Sequence, residues 1–343
     1  MNSLERVLGK IEGSPTDYPA VTLTLSLYGA RLTKYPLKEY YTRADAYIEG
    51  QIAVKETFNP DIIFTPFALT AEGESFGSKV KFFEKNPPNI SRYAAKSPDD
   101  VLSIDLPDVN SHPRLCFIRD AIRGIAAKYG KNTAICGVML SPIDLPPLIM
   151  GIDGWLETLL FDQDNAKRII DMTTQFFLTW SKAMFEDGVH FIALPIVFCN
   201  PAIVTDSIIQ NITFPALKNA VSNAAGPVVL HHGGAPILSS LEMLVSIPNV
   251  AAYAIDHRDD FKTARDIVGS NKVLLGNIDG PTLYSHNIED IEQMTYNILN
   301  DRKDDSHFIL ASSSADIAFD TPPENINAVI KAARTNTLHK ISN

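Results

Sequence analysis

The chain has 343 residues, 45% of them apolar and 20% charged, the balance of a globular protein rather than a disordered or fibrous one. A net charge of −10, with no stretch that gathers Lys and Arg, argues against nucleic acid as a partner, because phosphate binding needs clustered cations. No apolar run reaches the ~18–20 residues of a membrane span, no secretory leader follows Met1, and the scattered Cys116, Cys136 and Cys199 make no disulfide framework.

These features together predict a cytoplasmic protein with reduced thiols. In chain order, VTLTLSLYG (21–29) alternates Val21, Leu23, Leu25 and Leu27 with Thr and Ser, a strand with one buried face. Seven more apolar runs follow, at 61–67, 132–142, 190–201, 227–234, 250–257, 272–280 and 307–314. Most are nearly continuous, the pattern of parallel strands covered on both faces. Helical spacing fills the intervals, over 37–58, 162–188, 237–245, 263–269 and 322–336. Asp162 and Gly188 bracket the second of these as caps, and prolines open the last.

Eight strands alternating with helices predict a (β/α)8 barrel. A doubly wound open sheet is the runner-up, disfavoured because no G-x-G-x-x-G follows the first strand. Residues 68–115 break the rhythm with short alternations and prolines. They read as an insertion after strand 2 that covers the barrel mouth. With no linker or internal repeat, residues 1–343 are expected to form one domain.

A barrel of this kind carries its active site at the strand C-termini, and the strand tips here turn polar. They supply Tyr28 and Gly29, Thr65 and Pro66, Ser141 and Asp144, Cys199 and Asn200, His231 and His232, Asp256 and His257, Asn277 and Asp279, and Ser312 to Ser314 with Asp316. Each has a plainer use: a histidine at a strand end is commonly a hydrogen-bonded structural residue, and a buried free cysteine a small hydrophobe. The pair Gly233-Gly234 serves equally as a tight turn or as a place where a ligand nears the backbone. Of His231 and His232 only one is expected to face the mouth, since successive side chains in a strand point to opposite faces. No Ser-His-Asp order or G-x-S-x-G elbow supports a hydrolase.

The segments PDIIFTPFALTAEGESFGSKVKF (60–82), SPIDLPPLIMG (141–151), LHHGGAPIL (230–238), LLGNIDGPTLY (274–284) and ILASSSADIAFDTPPENINAVIKAAR (309–334) resemble the uroporphyrinogen decarboxylase superfamily along nearly the whole chain. They are most similar to its corrinoid-linked methyltransferase branch, which includes methylcobamide:coenzyme M methyltransferases and O-demethylase components. The resemblance implies a methyl group moved between a small methylated substrate and a corrinoid carried by a partner protein. The decarboxylase fits less well. Its arginine-rich R-Q-A-G-R segment is absent, with only Arg31 and Lys34 nearby, and Thr65 and Pro66 stand where its catalytic aspartate would be.

In the zinc enzymes of the methyltransferase branch, an H-x-C pair after strand 5 and a further cysteine after strand 8 hold the metal. His231 matches the histidine and so, rather than His232, is expected to face the mouth, but Gly233 and Ala315 stand at the cysteine positions. A zinc site of the usual form is therefore not expected, and any metal would use Cys199 with His231, completed by Asp256, His257 or Asp316. The expected catalytic residues are Tyr28, His231, Asp256 and Asn277, and the expected substrate contacts are Thr65, Ser141, Asn200 and Ser314. A tetrapyrrole-type decarboxylase and a non-catalytic binding barrel are the alternative functions.

Overall fold

A computed structural model describes residues 1–335. Its strands are β1 (Val21–Thr22), β2 (Ile62–Phe64), β3 (Lys79–Lys81), β4 (Asn89–Arg92), β5 (Ala134–Val138), β6 (Phe191–Pro195), β7 (Val228–His231), β8 (Val250–Ala254), β9 (Val273–Ile278) and β10 (Phe308–Ser312). Eight of them pair in parallel in the order β1-β10-β9-β8-β7-β6-β5-β2, each in one of the eight runs predicted as strands. The remaining gap, between β1 and β2, is bridged by three hydrogen bonds. Asp61 N donates to the Val21 carbonyl and Val21 N to the Asp61 carboxylate, both at 2.9 Å. The Thr22 hydroxyl donates to the Ile62 carbonyl at 3.2 Å. The result is the predicted (β/α)8 barrel.

Strand alternation sorts the side chains into two layers. Ile62, Ala134, Cys136, Phe191, Val229, Ala252, Ala254, Val273, Leu275, Ile309 and Ala311 fill the lumen. The opposite faces meet the surrounding helices in a larger core that holds Trp155 and Trp180. The first helix, Ser3–Glu12, plugs the N-terminal end of the lumen with Leu4, Val7 and Ile11. Its Arg6 pairs with the fully buried Asp61 at 2.6 Å, so a satisfied ion pair secures the plug beside the β1–β2 gap. Small alanines in the upper lumen leave room near the C-terminal mouth.

Helix ends follow the caps in the sequence. The helix Gln163–Asp187 starts on the Asp162 side chain, which accepts from Asn165 N, and stops at Gly188 with φ 113°. The helix predicted over 37–58 is instead two pieces, Leu37–Tyr40 and Ala44–Phe58.

The first strand is far shorter than its period-two pattern predicts. Side chains after β10 take over from the ladder: Thr24 N donates to Ser312 Oγ at 2.9 Å and Leu27 N to Asp316 Oδ1 at 2.8 Å. The chain then turns into a helix, Tyr28–Thr33. Gly29 is thus a helix-crossing residue rather than a strand tip. A Cβ there would lie 2.2 Å from the Tyr40 hydroxyl and 2.8 Å from the Gly50 backbone.

The insertion after β2 contains the helix Thr70–Ser75, the antiparallel β3–β4 hairpin and the helix Pro98–Leu102. Glu72 anchors it at the end of β5, its carboxyl accepting from Leu140 N at 3.2 Å. The hairpin tip crosses the mouth, and Lys85 reaches Asp320 beyond β10 at 2.9 Å. Among the described residues, no helix is long and apolar enough to cross a membrane.

Candidate functional site

Residues that continue the lumen-facing register point into the mouth. Val229 is in the lumen, so His231 follows it inward; the same parity carries Asp256 beyond Ala254 and Asn277 beyond Leu275. Directly over the lumen, His231 and Ser314 join Thr24, Phe64, Phe67, Val138, Ala193 and Pro195 around a cleft of about 50 Å3. A water needs roughly 10–15 Å3 by this measure, so the cleft takes a few heavy atoms. No Lys, Arg, Asp or Glu lines it.

The two histidines both turn toward the β10 tip. Their rings stack with centroids 4.3 Å apart and planes 25° apart. Each Nδ1 accepts from the backbone two residues on, His231 from Gly233 N at 3.1 Å and His232 from Gly234 N at 3.0 Å. Gly233 and Gly234 make these loops with φ of 70° and 105°, a region that favours glycine. His232 is buried, with Nε2 on the Ser313 carbonyl. Burial, and then the adjacent His232, lower the pKa of His231 to about 3, so its imidazole is neutral at working pH.

Asp256 stands beside this pair. Burial opposes its ionisation, but two hydrogen bonds from the Arg258 guanidinium, at 2.6 and 2.9 Å, outweigh it and hold the pKa at about 2. The His232 Nδ1 lies 3.1 Å and the His257 Nδ1 3.5 Å from this carboxylate. Asp259 shapes the corner by accepting from Asp256 N and from Ile237 N. Asn277 donates to the Asp256 carbonyl at 3.5 Å.

Other expected site residues are engaged elsewhere. Tyr28 lies in the helix after β1, its hydroxyl donating to the Thr321 carbonyl at 2.6 Å and its ring packing edge-on against Phe58. It faces the outer layer because period two ends at Thr22. Thr65 is fully buried and accepts from Val138 N at 3.1 Å. Ser141 donates to Asp144 at 2.5 Å, and burial lifts that carboxyl to about 7. Asn200 braces two loops, donating to the Pro236 carbonyl and accepting from Ala202 N.

Cys199 does not join His231. A 3-10 turn, Val197–Cys199, ends the strand alternation and turns the thiol into the outer core, 3.7 Å from the Thr213 hydroxyl. Burial raises its pKa far above the thiol norm, and the thiol lies in the outer core while His231 lines the cleft. Ala315 lines a separate groove of about 530 Å3 with Lys85, Tyr284 and Phe319. Among the described residues no three His, Cys, Asp or Glu side chains are arranged to hold a metal. His231 Nδ1 is already committed to Gly233, and the positions after it offer no sulfur, so the residues present do not fit a thiol-activating zinc.

Sequence reasoning missed most of the cleft. Phe64, Val138, Ala193 and Pro195 continue the lumen parity of Ile62, Cys136 and Phe191, a signal that alternation carried. Thr24 and Phe67 lie beyond strand ends, where no such signal exists.

The profile of the family described as "Uroporphyrinogen decarboxylase (URO-D)" matches residues 2–336. The chain is 26% identical over 340 residues to the "Methylcobamide:CoM methyltransferase MtbA" of Methanosarcina acetivorans, covering 96% of this chain and 97% of that protein. It is 23% identical over 335 residues to the "Methylcobamide:CoM methyltransferase MtaA" of Methanosarcina barkeri, covering 95% and 96%. Among solved structures, a methyltransferase from Methanosarcina mazei superposes with a TM-score of 0.86 at 19% identity, over 97% of this chain and 98% of that one. A B12-independent methionine synthase from Shewanella sp. W3-18-1 shares the fold at a TM-score of 0.58 and 11% identity, over 87% and 88%.

Proposed function

The chain belongs to the uroporphyrinogen decarboxylase family, and from that premise we propose that it is a methyltransferase. It would move a methyl group between a small substrate seated in the His231 cleft and a corrinoid presented by a partner protein. The observation that carries the reading is the end-to-end similarity to proteins named methylcobamide:CoM methyltransferases. The cleft agrees with it, because about 50 Å3 accepts a methyl-bearing head and excludes a corrin ring, which must approach from outside.

When bound, a corrinoid supplies the cobalt that gives or takes the methyl. The chain supplies the rest. Phe64, Phe67 and Val138 keep water from the reacting carbon, while the Thr24 and Ser314 side chains and the neutral His231 give the cleft its polar edge. Arg258, Asp256 and His232 act behind His231 as positioning residues, holding its ring by stacking. The tetrapyrrole decarboxylase reading lacks a grip for carboxylates. Arg31 spends its guanidinium on the Phe319 and Thr321 carbonyls at 2.6 Å.

The test mixes the protein with a Co(I) corrinoid protein and with methylated amines, ethers and thioethers, and in reverse with a methyl-Co(III) corrinoid and unmethylated acceptors. A methyl-Co(III) spectrum that appears or decays only with the protein supports the reading. Carbon dioxide release from uroporphyrinogen would replace it with the decarboxylase, and silence in both assays would leave a binding barrel.

A further inference from the structure

The cleft limits which methyl compounds this site handles, an inference that rests on the methyl-transfer reading above. An ether donor leaves as an alkoxide and needs a proton, and a thiol acceptor must first lose one. His231 is the sole titratable residue on the cleft wall among the described residues. Its Nδ1 lone pair is occupied by Gly233 N–H at 3.1 Å, and the backbone of Ser313 and Ser314 faces its ring. Asp256 is no substitute, because Arg258 binds both its oxygens and the carboxyl is 1% exposed. Gly233 and Ala315 provide no donor atom for a Lewis acid. The wall is thus built for a reaction in which no proton moves.

Onium methyl donors have that property, and ammonium is the one proposed here. A quaternary ammonium releases a neutral amine, and in reverse a neutral tertiary amine attacks without deprotonation. The wall suits such a head: two phenylalanines, Phe64 and Phe67, with Pro195 and Val138, and no competing cation. Aromatic faces attract quaternary ammonium groups once water is excluded.

We propose that the cleft binds a small quaternary ammonium head, whose methyl passes to a Co(I) corrinoid, or returns from methyl-Co(III), with the amine as neutral leaving group or nucleophile. In the forward step the C–N bond breaks and both its electrons stay on nitrogen. Co(I) supplies both electrons of the new Co–C bond and ends as Co(III). The ammonium loses its charge and no proton or external oxidant takes part.

Calorimetric titration of the purified protein with tetramethylammonium, and with uncharged tert-butyl alcohol of similar shape, tests the binding. Tetramethylammonium is expected to bind about tenfold or more tighter, with the preference reduced severalfold in Phe64→Leu and Phe67→Leu. The comparison in the unmodified protein stands even if those variants fold poorly. The same protein is then given a Co(I) corrinoid with tetramethylammonium, trimethylsulfonium, a methyl ether or a methyl thioether. Methyl-Co(III) from tetramethylammonium, and none from the ether, is the expected result. Transfer from sulfonium alone, or from the uncharged donors while ammonium is inert and shows no binding preference, overturns the ammonium site and leaves the methyltransferase intact. Preferential ammonium binding without cobalt alkylation by any donor keeps the ammonium site and overturns methyl transfer.

Discussion

His231 and His232 are stacked, with ring centroids 4.3 Å apart, although neighbours in a strand ordinarily diverge. The strand ends at His231, and the two glycines that follow fold back so that each imidazole accepts from the backbone two residues later. Only His231 reaches the cleft wall; His232 is the buried base on which it rests.

Replacing His231 by alanine should lower kcat/KM for methyl transfer by roughly 10²-fold, the scale of a misplaced substrate. The melting temperature should change little, since the ring is partly exposed and carries no charge. Steady-state kinetics and a thermal melt check both. Because burial keeps the His231 pKa at about 3, the wild-type rate should show no histidine inflection between about pH 5 and 8.

Arg258→Ala should convert His232 toward the imidazolium. Asp256 would lose its guanidinium and keep His232 Nδ1 at 3.1 Å as a remaining partner. An opposite charge favours the protonated form, so the His232 pKa should rise, read by nitrogen-detected NMR of the histidines. An unchanged His232 titration would show that Arg258 does not set the charge of this corner.

Stability should fall as pH rises from neutral to mildly alkaline. Burial lifts Glu72 to about 8, and Asp144 and Asp316 to about 7. Unfolded carboxyls lose their protons near ~4, so the folded chain binds more protons across the interval and loses stability as pH climbs through it. His231 has the opposite sign: its folded pKa is depressed, so its cost grows as pH falls below ~6.5 toward 3. Above ~6.5 the carboxyls set the slope until about pH 8, where Lys55, pushed down to about 8 by burial, begins to act with the opposite sign. Melting temperatures between about pH 6.5 and 8 should therefore decline, and Glu72→Gln should flatten the decline. Parallel slopes in the two proteins would remove Glu72 from the account.

Restoring sulfur should restore a metal only at a cost. Gly233 has φ 70°, and a Cβ there would lie 2.7 Å from the Val197 side chain. Gly233→Cys should destabilise the fold by about 1–3 kcal/mol, and Ala315→Cys by less. The double variant should hold more zinc by elemental analysis than the wild type, with Val197→Ala relieving part of the strain. A double variant no richer in zinc would mean that the two tips do not converge on His231.

The sequence by itself determined the eight strands, the barrel they close into, and the inward direction of His231. These rest on apolar runs of strand length, on strand alternation and on local capping, as at Asp162 and Gly188, where short-range sterics and hydrogen bonds suffice. What happens past the strand ends was decided by tertiary structure. Tyr28 turned outward because Ser312 and Asp316, nearly three hundred residues away, capture the backbone at Thr24 and Leu27. A 3-10 turn carried Cys199 into the outer core, and Lys85 met Asp320 across the mouth. Such placements depend on partners distant in sequence, whose hydrogen bonds override local alternation once the ladder stops, and so no local pattern encodes them.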